Sequence, residues 1–62
     1  MSFEYFTTIT PEGEETKILL NTELFEAALE DKANGIVLMF SSSGKTVPVK
    51  GSLIGVKGKL DN

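Results

Sequence analysis

The sequence contains no cysteine, no histidine and no arginine. Without cysteine there is no disulfide and no thiolate metal site, and without histidine the commonest metal ligand and general base is missing as well. These absences nearly exclude nucleophilic triads, because only serine, threonine, lysine and carboxylates remain as reactive groups. We therefore expect no enzyme activity, no metal site and no cofactor.

The chain is also short, at 62 residues. A domain of this size buries only roughly 60% of the surface that its unfolded chain exposes, so its stability is marginal. Because no disulfide or metal supports the fold, stability must come from a well-patterned core or from self-association. An apolar content of 40% with only two prolines indicates a folded chain. We predict a single domain over residues 1–62.

Long hydrophobic runs are missing. The longest, IVLMF at residues 36–40, is far shorter than the roughly 20 residues of a membrane-spanning helix. The first residues, MSFEYFTTITPEG, lack the basic start and apolar centre of a signal peptide. We expect a cytoplasmic protein without membrane contact.

Charge is divided unevenly along the chain, whose net charge is −3. Residues 1–31 contain eight acids and one lysine, giving −7, whereas residues 32–62 contain five lysines and one acid, giving +4. This asymmetry suits an acidic or a basic docking face. It equally suits ordinary solvated surface that mixes when the chain folds.

The first third of the chain predicts a β-hairpin. FEYFTTIT at residues 3–10 and TKILL at residues 16–20 are rich in β-branched, aromatic and aliphatic residues, and the turn-forming PEGEE separates them. With period two, Phe3, Tyr5 and Ile9 share one face, and Phe6 is the only apolar residue on the other.

A helix is predicted next, between Asn21 and Asn34. Asn21 or Thr22 suits the N-cap, and the Asn34-Gly35 pair suits a helix end. The apolar residues between them recur at helical spacing and form one stripe, which consists of Leu24, Phe25, Ala28 and Leu29.

Three further strands are predicted after this helix. GIVLMF at residues 35–40 reads as a buried strand. Pro48 cannot donate to a ladder, so Thr46 to Lys50 should be an edge strand or a bulged one. From Ser52 onward, Ile54, Val56 and Leu60 share one face of a last strand.

The elements predict an α+β fold of order β-β-α-β-β-β, with one helix packed on a small antiparallel sheet. A single helix covers only one face of a sheet. The other face, carrying Phe6 and half of IVLMF, is then either exposed or covered by a second copy. We expect a homodimer.

The segment SSSGKT, at residues 41–46, ends like a phosphate-binding loop. Such a loop requires G-x-x-x-x-G-K-[ST] followed by a helix. Met39 occupies the position of the first glycine, and the extended stretch Thr46-Val47-Pro48-Val49 follows. The segment therefore predicts a hairpin turn with Gly44 at a positive φ.

Two functional interpretations rest on charge. The first is a small acidic, non-enzymatic binding module, such as a regulatory accessory or inhibitor protein of a bacterial or phage system. It would dock on another protein through the outer face of the predicted helix by electrostatic steering. That face consists of Glu23, Glu26, Glu30 and Asp31, and the EGEE turn at residues 12–15 completes the docking surface.

The alternative is a nucleic-acid-binding regulator that contacts phosphates through Lys50, Lys57 and Lys59. The lack of arginine and the negative net charge weigh against it. A self-assembling structural subunit is a third interpretation.

The pattern KILLN, LFEAALE, GIVLMF and GKTVPV covers about the middle half of the chain. It resembles small regulatory modules of the LytTR DNA-binding type and the short proteins of flagellar operons. In those proteins a strand ending in Asn leads through an acidic helix to a strand–GK–strand hairpin. Any such fold would select these residue classes, so the resemblance assigns no functional residues.

Overall fold

The computed structural model describes residues 2–61. Its elements follow the order β-β-β-β-β-α, with a three-residue 3₁₀ turn at Thr22–Leu24 between the second and third strands. The elements are β1 (Phe3–Ile9), β2 (Glu15–Asn21), β3 (Phe25–Asp31), β4 (Ile36–Ser41), β5 (Thr46–Lys50) and α1 (Leu53–Leu60).

The five strands form one antiparallel sheet in the order β2-β1-β5-β4-β3, which puts β2 and β3 at opposite edges. Only the 3₁₀ turn joins these two edges along the chain. A flat five-stranded sheet would hold its edges about 19 Å apart, whereas four peptide steps span at most about 15 Å. The sheet therefore curls around on itself.

Two backbone hydrogen bonds hold this closure. The N–H of Thr22 donates to the carbonyl of Ser2 at 2.8 Å, and the N–H of Ser42 donates to the carbonyl of Leu24 at 2.8 Å. They tie the start of β1 and the end of β4 to the two ends of the 3₁₀ turn, so the edge strands cannot spread apart.

The core lies on the inner face of the curled sheet. Val37, Met39 and Val49 are fully buried there, and Phe6 from β1 and Val56 from α1 close the cluster. Partly buried side chains surround it: Ile18, Leu20, Phe25, Ala28, Val47 and Leu60. The β1–β2 hairpin is confirmed, but its inner face is the one that carries Phe6, while Phe3 and Tyr5 are exposed.

The predicted helix between Asn21 and Asn34 is wrong, and so is the acidic helix that the resemblance implied. This segment forms the 3₁₀ turn and β3, which pairs with β4 and has a bulge between Phe25 and Ala27. The bulge shifts the alternation by one residue, so Phe25 and Ala28 both contact the core. Their spacing of three residues is therefore the same as that of two residues on one helix face. Pairing with β4 determined that the segment forms a strand.

The predicted last strand is also wrong, because residues 53–60 form the helix α1. Gly51, at φ 131°, leaves the strand in a conformation that L side chains rarely adopt. Ser52 then caps the helix, since its side chain accepts a hydrogen bond from the N–H of Gly55 at 3.2 Å. Val56 and Leu60 lie one turn apart and pack on the core. The order β-β-α-β-β-β is thus replaced by β-β-β-β-β-α.

The segment Thr46–Lys50 is not an edge strand, because β5 lies between β1 and β4. Its ladder with β4 runs without a break through Pro48, which is opposite Leu38. The Pro48 carbonyl accepts a hydrogen bond from the Thr8 hydroxyl of β1 at 2.7 Å, so the nitrogen of the same residue also faces β1. A single pair, Thr8 with Val49, joins β1 to β5, so the missing donor costs little.

The SSSGK segment forms the turn between β4 and β5, as predicted. Gly44 has φ 88°, and the N–H of Lys45 donates to the Ser41 hydroxyl at 3.0 Å. The strand β5, and not a helix, follows the Gly44-Lys45 pair.

The closed core predicts a sharp contrast between two substitutions. Met39→Ala removes a fully buried side chain and should lower the free energy of unfolding by about 2–5 kcal/mol. Leu29→Ala alters an outer side chain that is 59% exposed and should cost less than about 1 kcal/mol. Urea denaturation measures both. Equal losses of stability would mean that Leu29 points toward the core and that β3 has the opposite face turned inward.

The cap of α1 gives a second test. Ser52→Ala leaves the N–H of Gly55 without its side-chain acceptor and should destabilise the fold by about 1 kcal/mol. Ser52→Asp keeps an acceptor at the same position and serves as the matched control. If the two variants had the same melting temperature, the result would contradict a helix that starts at this serine.

Candidate functional site

The outer face of the sheet carries a row of apolar side chains across three strands. Leu29 of β3 is opposite Leu38 of β4, and Leu38 is opposite Pro48 of β5. Opposite residues on neighbouring antiparallel strands point to the same face, so these three side chains are adjacent. We call Leu29, Leu38 and Pro48 the outer row. Ile36 and Phe40 extend it along β4, because alternation puts them on the same face as Leu38.

An open depression of about 730 Å³ continues this surface toward the end of β1. Pro48 and Ile36 contribute to its wall, and Ile9 and Pro11 approach from β1 and the turn after it. The remaining lining residues are Thr8, Thr10 and Asn34, so no charged side chain enters it. The site can hold apolar groups and donate or accept a few hydrogen bonds, but it presents no ionisable group for acid–base chemistry.

A second apolar patch lies on the outer face of β1 and β2. Tyr5 is opposite Leu19, and Phe3 lies two residues further along β1. All three are about half exposed or more. The ammonium group of Lys17 is 5.5 Å from the centroid of the Tyr5 ring, which is within the range of a cation–π contact.

A smaller depression of about 160 Å³ lies between β1 and the start of α1. Phe6 and Val56 form its floor, and Lys59 lies at its side. It is too small for most ligands of drug size, which occupy roughly 300–1,000 Å³. The larger depression is therefore the better candidate site.

The acidic residues predicted as one docking face do not share a face. In a strand, neighbouring side chains point to opposite sides, so Glu30 points inward and Asp31 outward. Glu30 accepts a hydrogen bond from the N–H of Leu53 at 3.3 Å, at the start of α1. Asp31 accepts one from the Asn34 side chain at 2.8 Å, within the turn to β4. Glu23 and Glu26 are exposed near the 3₁₀ turn and the bulge.

The three lysines of the alternative interpretation each have a partner within the chain. Lys50 forms an ion pair with Glu15 on the outer face, across β1. Lys57 forms one with Asp61 at 2.7 Å, and the hydrogen bond to this carboxylate raises the pKa of Lys57 above its usual value. Lys59 donates to the Tyr5 carbonyl and lies 4.8 Å from the centroid of the Phe6 ring.

These lysines also belong to two different parts of the fold. Lys50 ends β5, whereas Lys57 and Lys59 lie on α1. Half-exposed ion pairs contribute little to stability, but they do reduce the positive potential that a phosphate backbone would meet.

Within residues 2–61, no group of three or more acidic side chains is arranged to hold a metal ion. In the same part of the chain, no helix has the length and apolar character needed to cross a membrane.

Comparison of the chain with protein-family models, with curated proteins and with solved structures finds no significant match.

Sequence reasoning identified half of this site. It expected the sheet face opposite the helix, either exposed or covered by a second copy, to carry half of IVLMF, and Ile36, Leu38 and Phe40 are the half on the outer face. It missed Leu29, which it had assigned to a buried helical stripe, and it misplaced Phe6, which is buried. The residues Ala27 to Asp31, AALED, do not alternate between apolar and polar types, so no period-two signal marked this segment as a strand.

The partnered lysines predict an absence of nucleic-acid binding. Labelled duplex DNA and single-stranded RNA should give no saturable rise in fluorescence anisotropy at low salt, at protein concentrations up to about 100 µM. The combined variant Lys50→Gln, Lys57→Gln, Lys59→Gln is the control. Saturable binding that weakens steeply with salt, and that this variant loses, would instead support the alternative interpretation.

Proposed function

We propose that the chain is a small, non-enzymatic binding module that docks on another protein through the outer face of its sheet. The observation that supports this most is the outer row with its adjoining depression. Leu29 is 59% exposed, and its neighbours Leu38 on β4 and Pro48 on β5 are half-buried. A contiguous apolar surface of this kind on a soluble domain marks an interaction site more often than isolated apolar residues do.

The surroundings of the outer row suit a protein interface. Its apolar centre is bordered by Asp31 at one end of β3 and by the Lys50–Glu15 pair beside β5. Interfaces commonly have such an apolar centre and a charged, solvated rim. The rim supplies orientation and encounter rate, while the apolar centre supplies most of the affinity.

The acidic character of the chain indicates that the partner's surface is positively charged. The net charge is −3, and Glu23, Glu26 and Asp31 are close to or on the β3 side of the molecule. A partner with an apolar surface surrounded by basic residues would be attracted to this side. A regulatory accessory or inhibitor protein is the role that this chemistry favours.

No observation favours catalysis or nucleic-acid contact to a similar degree. The depression holds no ionisable side chain, and the basic groups on β5 and α1 are already engaged with acceptors of the same chain.

Site-specific photo-crosslinking in the cells that make the protein tests the docking proposal. A benzophenone amino acid replaces Leu38 at the centre of the outer row, and in a control it replaces Glu12, which is exposed in the β1–β2 turn. We expect a discrete crosslinked product at position 38, containing a second protein that mass spectrometry identifies, and none at position 12. Products that are the same at both positions, or that contain only this chain, would contradict docking on another protein.

A charge substitution then tests the affinity for whatever protein is captured. Leu38→Lys places an ammonium group in the apolar centre and should weaken binding at least about tenfold, because burying an unpaired charge is costly. Leu24→Lys is the matched control, because Leu24 is similarly apolar and 52% exposed but lies in the 3₁₀ turn. Isothermal titration calorimetry measures both, and circular dichroism checks that both variants fold.

A further inference from the structure

The two edges of the sheet differ in how well they are protected against pairing with another chain. Among residues 2–61, β2 pairs only with β1, and β3 pairs only with β4. Proteins usually protect such edges with prolines, bulges or inward-pointing charges. The strand β3 is bulged at its start, and Glu30 points inward near its end, next to the charged Asp31. The β3 edge is therefore a poor template for a further strand.

Across its whole length, Glu15–Asn21, the edge strand β2 shows none of these devices. Its ladder with β1 is regular, without a bulge or a proline. The ammonium group of Lys17, which is the only cation on β2, is held over the Tyr5 ring at 5.5 Å from the centroid and so is turned toward β1. The inward-pointing residues of β2 are neutral, and they are Thr16, Ile18 and Leu20.

The free backbone groups of β2 follow from its hydrogen bonds to β1. The N–H of Thr22 donates to the carbonyl of Ser2. At the other end of the ladder, the N–H of Thr10 donates to the carbonyl of Glu14. Hydrogen-bonded pairs recur at every second residue of an antiparallel ladder, so the even-numbered residues of β2 turn their N–H and C=O groups toward β1. The odd-numbered residues turn theirs toward the open edge, and these include Lys17, Leu19 and Asn21.

The same strand of a second copy, turned around, offers complementary backbone groups. A two-fold axis perpendicular to the sheet makes two β2 strands antiparallel and keeps their outer faces on the same side. If the axis passes beside Leu19, the two Leu19 residues are opposite each other and exchange both N–H···O bonds. Lys17 is then opposite Asn21, whose N–H donates to the Lys17 carbonyl. The Asn21 carbonyl accepts within the 3₁₀ turn instead, as is usual for a cap residue.

This register also matches the side chains on both faces. On the outer face Leu19, which is 51% exposed, meets its own copy, and Tyr5 is opposite Leu19 within each chain. On the inner face Ile18 is opposite Leu20, and both belong to the partly buried margin of the core. A second copy therefore covers apolar side chains that one chain leaves at its edge.

Neighbouring positions of the axis match less well. If the axis passes beside Ile18, Lys17 is opposite Leu19. If it passes beside Lys17, two ammonium groups are opposite each other, which destabilises a strand pair. If it passes beside Leu20, Leu19 is opposite Asn21. Of these axes, the one beside Leu19 alone pairs apolar side chains on both faces of the sheet.

We propose that two copies of this chain form a symmetric dimer in which their β2 strands pair antiparallel, with Leu19 opposite Leu19. The self-complementarity of β2 identifies a second copy, and not a strand of another protein, as the occupant of this edge. The interface uses the same patch on both copies, so association ends at the dimer. The outer row lies on β3, β4 and β5, away from this edge. The proposal therefore does not rest on the protein that docks there.

Disulfide trapping tests the register directly, because the chain has no cysteine of its own. Opposite residues of a hydrogen-bonded antiparallel pair have Cα atoms about 5.5 Å apart, a distance that a disulfide spans. Leu19→Cys should therefore crosslink with itself rapidly under mild oxidation. Non-reducing electrophoresis measures the rate at which the crosslinked dimer appears.

Two other single-cysteine variants are the matched controls. Leu29→Cys changes a similarly exposed leucine on the opposite edge. Lys17→Cys lies on β2, but in the proposed register its two copies are displaced along the strands by about 13 Å. Both controls should crosslink at least about tenfold more slowly than Leu19→Cys, because the sulfur atoms cannot meet without local unfolding.

Every other result of the trapping experiment overturns the proposal. Faster crosslinking of Lys17→Cys would mean that β2 pairs in a different register. Faster crosslinking of Leu29→Cys would move the interface to β3. Equal rates for all three variants would mean that the chains meet only by random collision.

Sedimentation velocity of the unmodified chain provides an independent measurement. We expect a mass that rises with concentration from 6.7 kDa toward twice that value and no further. Leu19→Lys puts two like charges opposite each other and should raise the dissociation constant at least about tenfold. Leu29→Lys makes the same change in net charge on the opposite edge and should leave the dissociation constant nearly unchanged. Circular dichroism checks that both variants fold.

The sedimentation result separates this proposal from the docking proposal. A mass of 6.7 kDa at every concentration up to about 1 mM would overturn the dimer. A monomer that still crosslinks a different protein from position 38 would leave the docking proposal intact. A dimer that captures no second protein from that position would support the β2 pairing and contradict docking.

Discussion

The short connection between the two edge strands determines the shape of this protein. Only Thr22–Leu24 separates β2 from β3, although three other strands lie between them in the sheet. The sheet has to curl to satisfy this connection, and the curled inner face encloses Phe6, Val37, Met39 and Val49. Without the closure these side chains would form a flat apolar surface with only one short helix to cover it.

The closed inner face explains how so short a chain can form a core without a disulfide or a metal. Strands on opposite sides of the curl bury each other, and α1 adds Val56 and Leu60 to the same cluster. The helix is held at its start by the Ser52 cap and by the carboxylate of Glu30. The acid that was expected to face a partner thus belongs to the internal support of the fold.

The same curl leaves the outer face of the sheet without a covering layer of helix, and its central side chains on β4 and β5 are half-buried. Five strands and one helix give this chain a single interior, so apolar residues that alternate outward remain on the surface. Leu29, Leu38 and Pro48 are in that position, and so are Tyr5 and Leu19 on the other half of the sheet. The docking proposal follows from this division, because it concerns what binds to the outer row.

Neighbouring residues alone were enough to predict the first hairpin, the IVLMF strand and the turn at Gly44, because each of these depends on local residue types. The sequence also limits the reactive side chains that the chain can offer, since cysteine and histidine are absent.

After residue 21, contacts between distant residues determine which segments are strand and which are helix. The spacing of Phe25 and Ala28 suits a helix and a bulged strand equally, and the hydrogen bonds offered by β4 select the strand. Residues 53–60 hold two glycines and show mixed apolar spacing, and the helix forms there because Val56 and Leu60 can close the core. The assignment of faces depends on the same contacts between distant residues, which no local pattern contains.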